Sequence, residues 1–313
     1  MAITMRDDGA GNYLGELFLI GANQTPFLNM MGGLNGTRSK VTRSMIYPMA
    51  QPWTLGAATI PTIDEDELVT AATAVTTYTR GQDLNTVMIF KKDVIASYLR
   101  IATYGELTGL SVIGAGTQPV PDEMAFQKMA QLKQIAIDAE KAFLSGVYAA
   151  QTNSGVAAQT LGIITGSTVN TVAAGGAKVT KAMFDALMLE MATNGAQFEN
   201  MKVFCNGFNK GAITDIYGYA PEDRNVGGEN ITRVITNFAN LEVVFDPQVP
   251  AGTILVADMN YVYPVFLPYR GKTLFYEDLA LTAGAERGQF IAFMGIDFGP
   301  SEFHGTITGT AIA

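Results

Sequence analysis

The spacing of apolar positions changes along this chain, and the change predicts its elements. Ala125, Met129, Leu132, Ala136, Ala139 and Phe143 are separated by four and three residues, the period of one helical face. Lys128, Lys133, Asp138 and Lys141 fall on the other faces. Pro119 or Pro121 can open such a helix and Ser145-Gly146 can end it. One helix of roughly 40 Å is therefore expected over about 119–146, at about 1.5 Å per residue. Phe184, Leu187, Met188 and Met191 form a second helical stripe, between a capping Thr180 and a stop at Asn194-Gly195. Residues 209–217 read as a third helix, and 93–105 are compatible with a short one.

Elsewhere the apolar runs are short and rich in β-branched and aromatic residues. Residues 201–205, 241–245, 253–257, 289–294 and most of 261–312 read as strands. A turn with Pro247, Pro250 and Gly252 joins two of them. Residues 74–79 and 86–90 also have strand composition, and the acidic run Asp64-Glu65-Asp66-Glu67 lies upstream of both. A projecting hairpin with a charged stretch near its tip is expected. Such hairpins are marginal in water alone, so this one needs a partner. The first 37 residues are broken by Gly9, Gly11, Gly15, Gly21, Gly32, Gly33 and Gly36, and read as an arm that must lie against something else. The fold class is α+β.

Composition adds one inference to this pattern. Apolar residues make up 48% and charged residues 16%, against about 25% charged in average chains. Surface hidden against other copies of the chain accounts for that better than a large core alone. The net charge is −9 and no Lys/Arg cluster stands out, which argues against a direct grip on nucleic-acid phosphates. The N-terminus lacks a signal-peptide apolar core, and no apolar run is long enough to span a bilayer. A soluble protein made in a reducing cytosol, with no membrane partner, is expected.

Candidate chemistry is sparse. His304 is the only histidine and Cys205 the only cysteine, so neither a disulfide nor a multi-ligand zinc site can form within the chain. A nucleophilic triad would have to use His304, which reads as an ordinary strand or surface residue. Cys205, in an apolar strand, reads as a buried inert thiol. There is no phosphate loop and no dinucleotide fingerprint. The run from Asp64 to Glu67 lacks calcium-loop spacing and reads as a solvated face or a charged contact between subunits. No cofactor, metal or catalytic residue is expected, and the chain should work by binding or building.

Four stretches, in order, resemble the Hong Kong 97-type major capsid proteins of tailed bacteriophages. They are Thr25-Pro26-Phe27-Leu28; Leu84 to Phe90 followed by Asp93 to Ser97; Glu140 to Gly146 followed by Gly162 to Thr165; and the C-terminal half. In that half, Phe238 to Asp246 leads to Thr253 to Asp258, and Glu277 to Gly284 precedes Gln289 to Gly295. The resemblance implies an N-terminal arm (1–37), an extended loop (38–90), and a peripheral domain built on a spine helix (91–174). An axial domain (175–258) and return strands of the peripheral domain (259–313) would complete it.

The implied function is a structural protein that assembles with itself into hexamers and pentamers of an icosahedral head. The head would enclose double-stranded DNA without sequence-specific binding, in virions assembled in the host bacterial cytoplasm. Portal, scaffolding and decoration proteins are further partners the resemblance allows. Asp64, Glu65, Asp66, Glu67, Arg43, Arg80 and Phe27 are the candidate inter-subunit contacts. Some relatives weld subunits through a loop lysine, but no lysine lies between Lys40 and Lys91, so no weld is expected at this loop's tip. Met1 leads directly into the arm, so separate scaffolding or none is expected. An encapsulin-like compartment shell and another phage tail or decoration component are the alternatives.

Overall fold

The computed structural model describes residues 24–35, 38–50, 53–60, 62, 64–69, 78–102, 123–217 and 233–312. The first part of the chain gives α1 (Pro26–Met30), β1 (Lys40–Val41), β2 (Ile46–Ala50), α2 (Glu65–Val69), β3 (Asp83–Thr86) and β4 (Met88–Ser97). Then come α3 (Tyr98–Ala102), α4 (Glu123–Ser145), α5 (Ile163–Gly166), β5 (Thr171–Ala173), α6 (Lys181–Thr193), β6 (Met201–Cys205) and α7 (Gly207–Tyr217). The remainder is strand: β7 (Arg233–Ile235), β8 (Asn240–Phe245), β9 (Thr253–Asp258), β10 (Tyr263–Phe266), β11 (Leu274–Thr282), β12 (Ala285–Asp297) and β13 (Gly305–Thr308).

Two sheets organise these elements. In the five-stranded sheet the long β12 is central, with β4 antiparallel on one edge and β11 and β10 on the other; β1 adds in parallel to β10. Phe90, Val94 and Ala96 of β4 and Phe290, Ala292 and Met294 of β12 point to one buried face. The helix α4 packs on it, with Phe143 edge-on to Phe90 at 6.4 Å. The six-stranded sheet runs β5-β13-β9-β6-β8-β7. Its β9 is buried from Ile254 to Asp258, with Ile254 and Val256 in one core and Leu255 and Ala257 in the other. Such uninterrupted burial marks a strand covered on both faces. One face carries the core that holds Phe184, Leu187, Met188 and Met191 of α6 and Ala212 and Ile213 of α7. The other joins the core around α4, α1 and the five-stranded sheet.

Three expectations need correction. Residues 93–97 are strand, and the helix is confined to Tyr98–Ala102. The alternation of buried Phe90, Val94 and Ala96 with outward Ile89 and Ile95 has period two, and a ten-residue register with β12 fixes it. In α4 the buried residues are Ile135, Ala139, Glu140, Phe143 and Leu144. Met129 and Leu132 of the expected stripe are 48% and 38% exposed, because the packed face there is turned by one position: Met124 lies on the core and Lys128 Nζ stands 4.1 Å from the Tyr276 ring of β11. The boundaries expected at 175 and 259 also shift. Residues 171–173 and 305–308 pair within the six-stranded sheet, so β13 leaves the return strands to close it. Residues 119–122 and 74–77, expected to start the long helix and to form strand, lie outside the described residues.

Candidate assembly site

The extended loop stands on a short antiparallel ladder. Ile46 pairs with Thr86, Tyr47 with Asn85, Pro48 with Leu84 and Ala50 with Asp83, with a bulge between Pro48 and Ala50. Beyond it, residues 53–60, 62, 64–66, 69 and 78–84 are all exposed. The outgoing and returning limbs meet where the Trp53 and Tyr78 rings stand edge to face at 6.5 Å. Leu55, Ile60 and Val69 are 71%, 89% and 81% exposed. Burying each such side chain would be worth about 1.5–3 kcal/mol, and together they leave an exposed apolar strip on one limb.

Six of the seven candidate contact residues lie on this loop or beside its base. Asp64 precedes α2, and Glu65, Asp66 and Glu67 open it, where a helix N-terminus favours negative charge. Asp64, Glu65 and Asp66 are exposed. Arg43 is exposed on the bend between β1 and β2, and Arg80 on the returning limb. Phe27 is different. It is fully buried in its own subunit, edge-on to Phe204 at 5.1 Å, and cannot serve as an inter-subunit contact in this conformation. The apolar run Pro26-Phe27-Leu28 finds its partner in α4 and the six-stranded sheet, so this part of the arm needs no second chain.

The base of the loop is tied down by a buried polar knot. Asn85 is fully buried, and its amide donates to Leu161 O at 3.1 Å and Ile296 O at 2.8 Å. Its Oδ1 accepts from the N–H of Thr86 (2.8 Å) and Leu161 (2.7 Å) and from the Thr160 hydroxyl (3.2 Å). The Tyr47 hydroxyl donates to the same Ile296 carbonyl at 2.7 Å, and burial pushes its pKa far up, so it stays protonated. One side chain thus links the loop, the exit of α4 and β12. Gly295 belongs to this knot: a Cβ there would lie 2.5 Å from Tyr47 Oη and 2.9 Å from Thr86 O. Nothing in the sequence pattern distinguishes Asn85 from other polar residues, because its partners are 76 and 211 residues away.

A second buried polar centre lies under the arm. Glu140 Oε1 accepts from the Phe27 N–H at 2.9 Å and Oε2 from the Leu28 N–H at 2.7 Å, capping α1 from the side of α4. Burial, and then the nearby Asp246 carboxyl, push the Glu140 pKa up to about 9. Asp246 is itself fully buried and its pKa is raised, mainly by burial.

The two residues that could have carried chemistry are packed away. His304 is fully buried, its Nε2–H donating to Phe298 O at 2.5 Å while Nδ1 accepts from the Asp258 N–H at 3.2 Å. Burial lowers its pKa to about 4, which fixes the ring neutral. Cys205 is buried, and burial pushes its thiol up to about 12. Among the described residues no three His, Cys, Asp or Glu side chains cluster as metal ligands, and no helix is long and apolar enough to cross a membrane. A cleft of about 420 Å³ between β4 and α4 holds Lys92 and Asp138, which pair with each other at 2.7 Å.

The whole chain matches solved capsid structures. The capsid of cyanophage A-1(L) superposes with a TM-score of 0.61 at 13% identity, over 95% of each chain. The capsid of a native GTA particle gives 0.59 at 13% identity, over 96% of this chain and 94% of that one. The SrpI encapsulin of Synechococcus elongatus gives 0.57 at 11% identity, over 99% and 98%. These likenesses establish a common fold. No curated protein matches the chain. The family model described as SU10 major capsid protein matches residues 5–311, and the chain therefore belongs to that family of phage major capsid proteins.

Proposed function

We propose that this subunit assembles with its own copies into hexamers and pentamers of an icosahedral head, and that it performs no catalysis. The head encloses double-stranded DNA held without sequence recognition, consistent with the net charge of −9. In this reading the five-stranded sheet and α4 form the peripheral domain and the six-stranded sheet the axial domain. The acidic residues Asp64, Glu65, Asp66 and Glu67, with Arg43 and Arg80, lie in contacts between neighbours. Assembly takes place in the host bacterial cytoplasm, with portal and scaffolding or decoration proteins as further partners.

The observation that carries this reading is the loop. Its base is locked by Asn85, while Trp53, Leu55, Ile60, Val69 and Tyr78 lie open along it. A rigidly anchored limb with an apolar surface fits docking onto another copy, and head-to-tail contacts of that kind close into rings. Electron microscopy of the purified protein tests it. Icosahedral particles, hexamers or tubes are expected; a monomer at high concentration that turns over a substrate would overturn the reading.

A further inference from the structure

The strand β4 is an edge of the five-stranded sheet, and its outer side is open. Phe293 of β12 gives its carbonyl to the Leu267 N–H at 3.1 Å, on the β10 side, and stands opposite Ile89. At the other end of β4 the Tyr98 N–H reaches the Gly284 carbonyl at 3.0 Å. Successive residues of an antiparallel strand turn both backbone groups to alternate sides. Phe90, Lys92, Val94 and Ala96 therefore bond to β12, while Ile89, Lys91, Asp93 and Ile95 turn their N–H and C=O away from it. Val87 precedes them in the second set and donates to Met45 O at 2.8 Å, where the ladder with β2 ends. Beyond Val87 no strand lies beside this edge among the described residues. An open edge ten residues long invites pairing with another chain.

The same edge borders the cleft of about 420 Å³ between β4 and α4. Phe90, Ile135 and Ala142 give the cleft apolar walls, and its lysines 91, 92 and 141 outnumber Asp138. Lys141 is in no ion pair among the described residues. A strand edge beside a helix is a form of site to which an extended segment adds as a further strand, its backbone giving affinity and alternate side chains giving register.

Residues 53–60 of the extended loop have the form of such a segment. All are exposed, and they make no backbone hydrogen bond among the described residues. Bulky Trp53 and Leu55 alternate with Thr54 and Gly56, so an extended backbone puts both on one side. The segment carries no charge and leads to Asp64-Glu65-Asp66-Glu67, opposite in sign to the excess of lysine at the cleft. The subunit's own limb is carried away from this edge, because Ile46 stands opposite Thr86 and Ala50 opposite Asp83. We propose that the open edge of β4 takes residues 53–60 of a second copy as an added strand, with that copy's acidic run on the side of Lys141. This rests on the reading that the loop docks between copies, and names the surface that receives it.

Photo-cross-linking of the full chain tests the pairing. Leu55→benzoylphenylalanine places a photoreactive group on the limb, and mixing heavy- and light-isotope subunits lets mass spectrometry identify links between copies. Links to residues 88–92 or to α4 between 135 and 146 are expected. Links confined to other surfaces, in particles that form, would overturn the added strand and leave assembly from copies standing. A wild-type chain that stays monomeric by electron microscopy and light scattering would overturn both. Hydrogen exchange of the wild-type chain before and after assembly needs no substitution. Peptides covering 53–60 and 88–96 should both gain about tenfold protection or more, and a gain in only one of them would overturn the pairing. Lys91→Pro removes an N–H that faces away from β12, whereas Lys91→Ala removes the side chain and keeps the N–H. The first should raise the subunit concentration needed for particles about fivefold above the second, the worth of one hydrogen bond. Equal thresholds for the two would also overturn the added strand.

Discussion

Asn85 shows how much one side chain can hold. Its amide is satisfied by three different parts of the chain, and truncation would take the acceptor from the Leu161 and Thr86 N–H groups, while the Ile296 carbonyl keeps the Tyr47 hydroxyl. Each unsatisfied buried group costs about 1–3 kcal/mol, so Asn85→Ala should destabilise the subunit by about 2–4 kcal/mol. Urea denaturation should show this as a lower midpoint at unchanged slope; a midpoint within error of wild type would deny the knot its role. Residues of this kind were not legible in the sequence. Asn85, Glu140 and Asp246 each look like a polar position on a mixed face, and only packing of distant segments turns them into buried centres. His304 reads as an ordinary strand or surface residue, yet it is fully buried just before β13, and nothing in the sequence pattern announced that. Phe27 was expected at a contact between subunits and packs inside its own, because pattern could not say whether the partner of an apolar residue is the same chain.

At the scale of elements, legibility follows the period. The helix α6 was readable because Phe184, Leu187, Met188 and Met191 all face one core, and β6, β8 and β9 because short apolar runs between turns have few alternatives. The strand β4 was misread past Asp93 because its partner β12 lies nearly 200 residues downstream, and it is that partner which imposes period two. The long helix was found, but its packed face was not: it runs through Met124, Lys128, Ile135 and Ala139, one position from the expected stripe over the first turns. That difference can be measured. Phe143→Ala removes a fully buried ring from the sheet-facing side and should cost about 3–5 kcal/mol. Leu132→Ala, on the outward face of the same helix, should change stability by less than about 1 kcal/mol. Equal losses in urea denaturation would mean that the whole helix is packed within the subunit.

At the scale of the whole molecule, the proposed assembly surface and the two cores lie in different parts of the chain. The two cores meet across β9 and involve none of the described residues between 53 and 82. The loop beyond Ala50 can therefore be removed without opening either core, provided the cut respects the knot. A deletion starting at Arg43 would take β2 and Tyr47 with it and confuse the two functions. Ala50 and Asp83 are paired across the ladder, so replacing residues 51–82 with Asn-Gly should close a tight hairpin on the existing strands. Shortening the loop this far lowers the entropic cost of closing it by about 2.5 kcal/mol, and the variant should keep a urea midpoint at or above that of wild type. It should not form shells, because Trp53, Leu55, Ile60, Val69 and the acidic run of α2 are gone while every anchoring contact remains. Folded subunits that stay small by light scattering and electron microscopy are the expected result. Normal particles from the same variant would show that the shell is held by other surfaces, with the exposed face of α4 around Met129 and Leu132 the first to test.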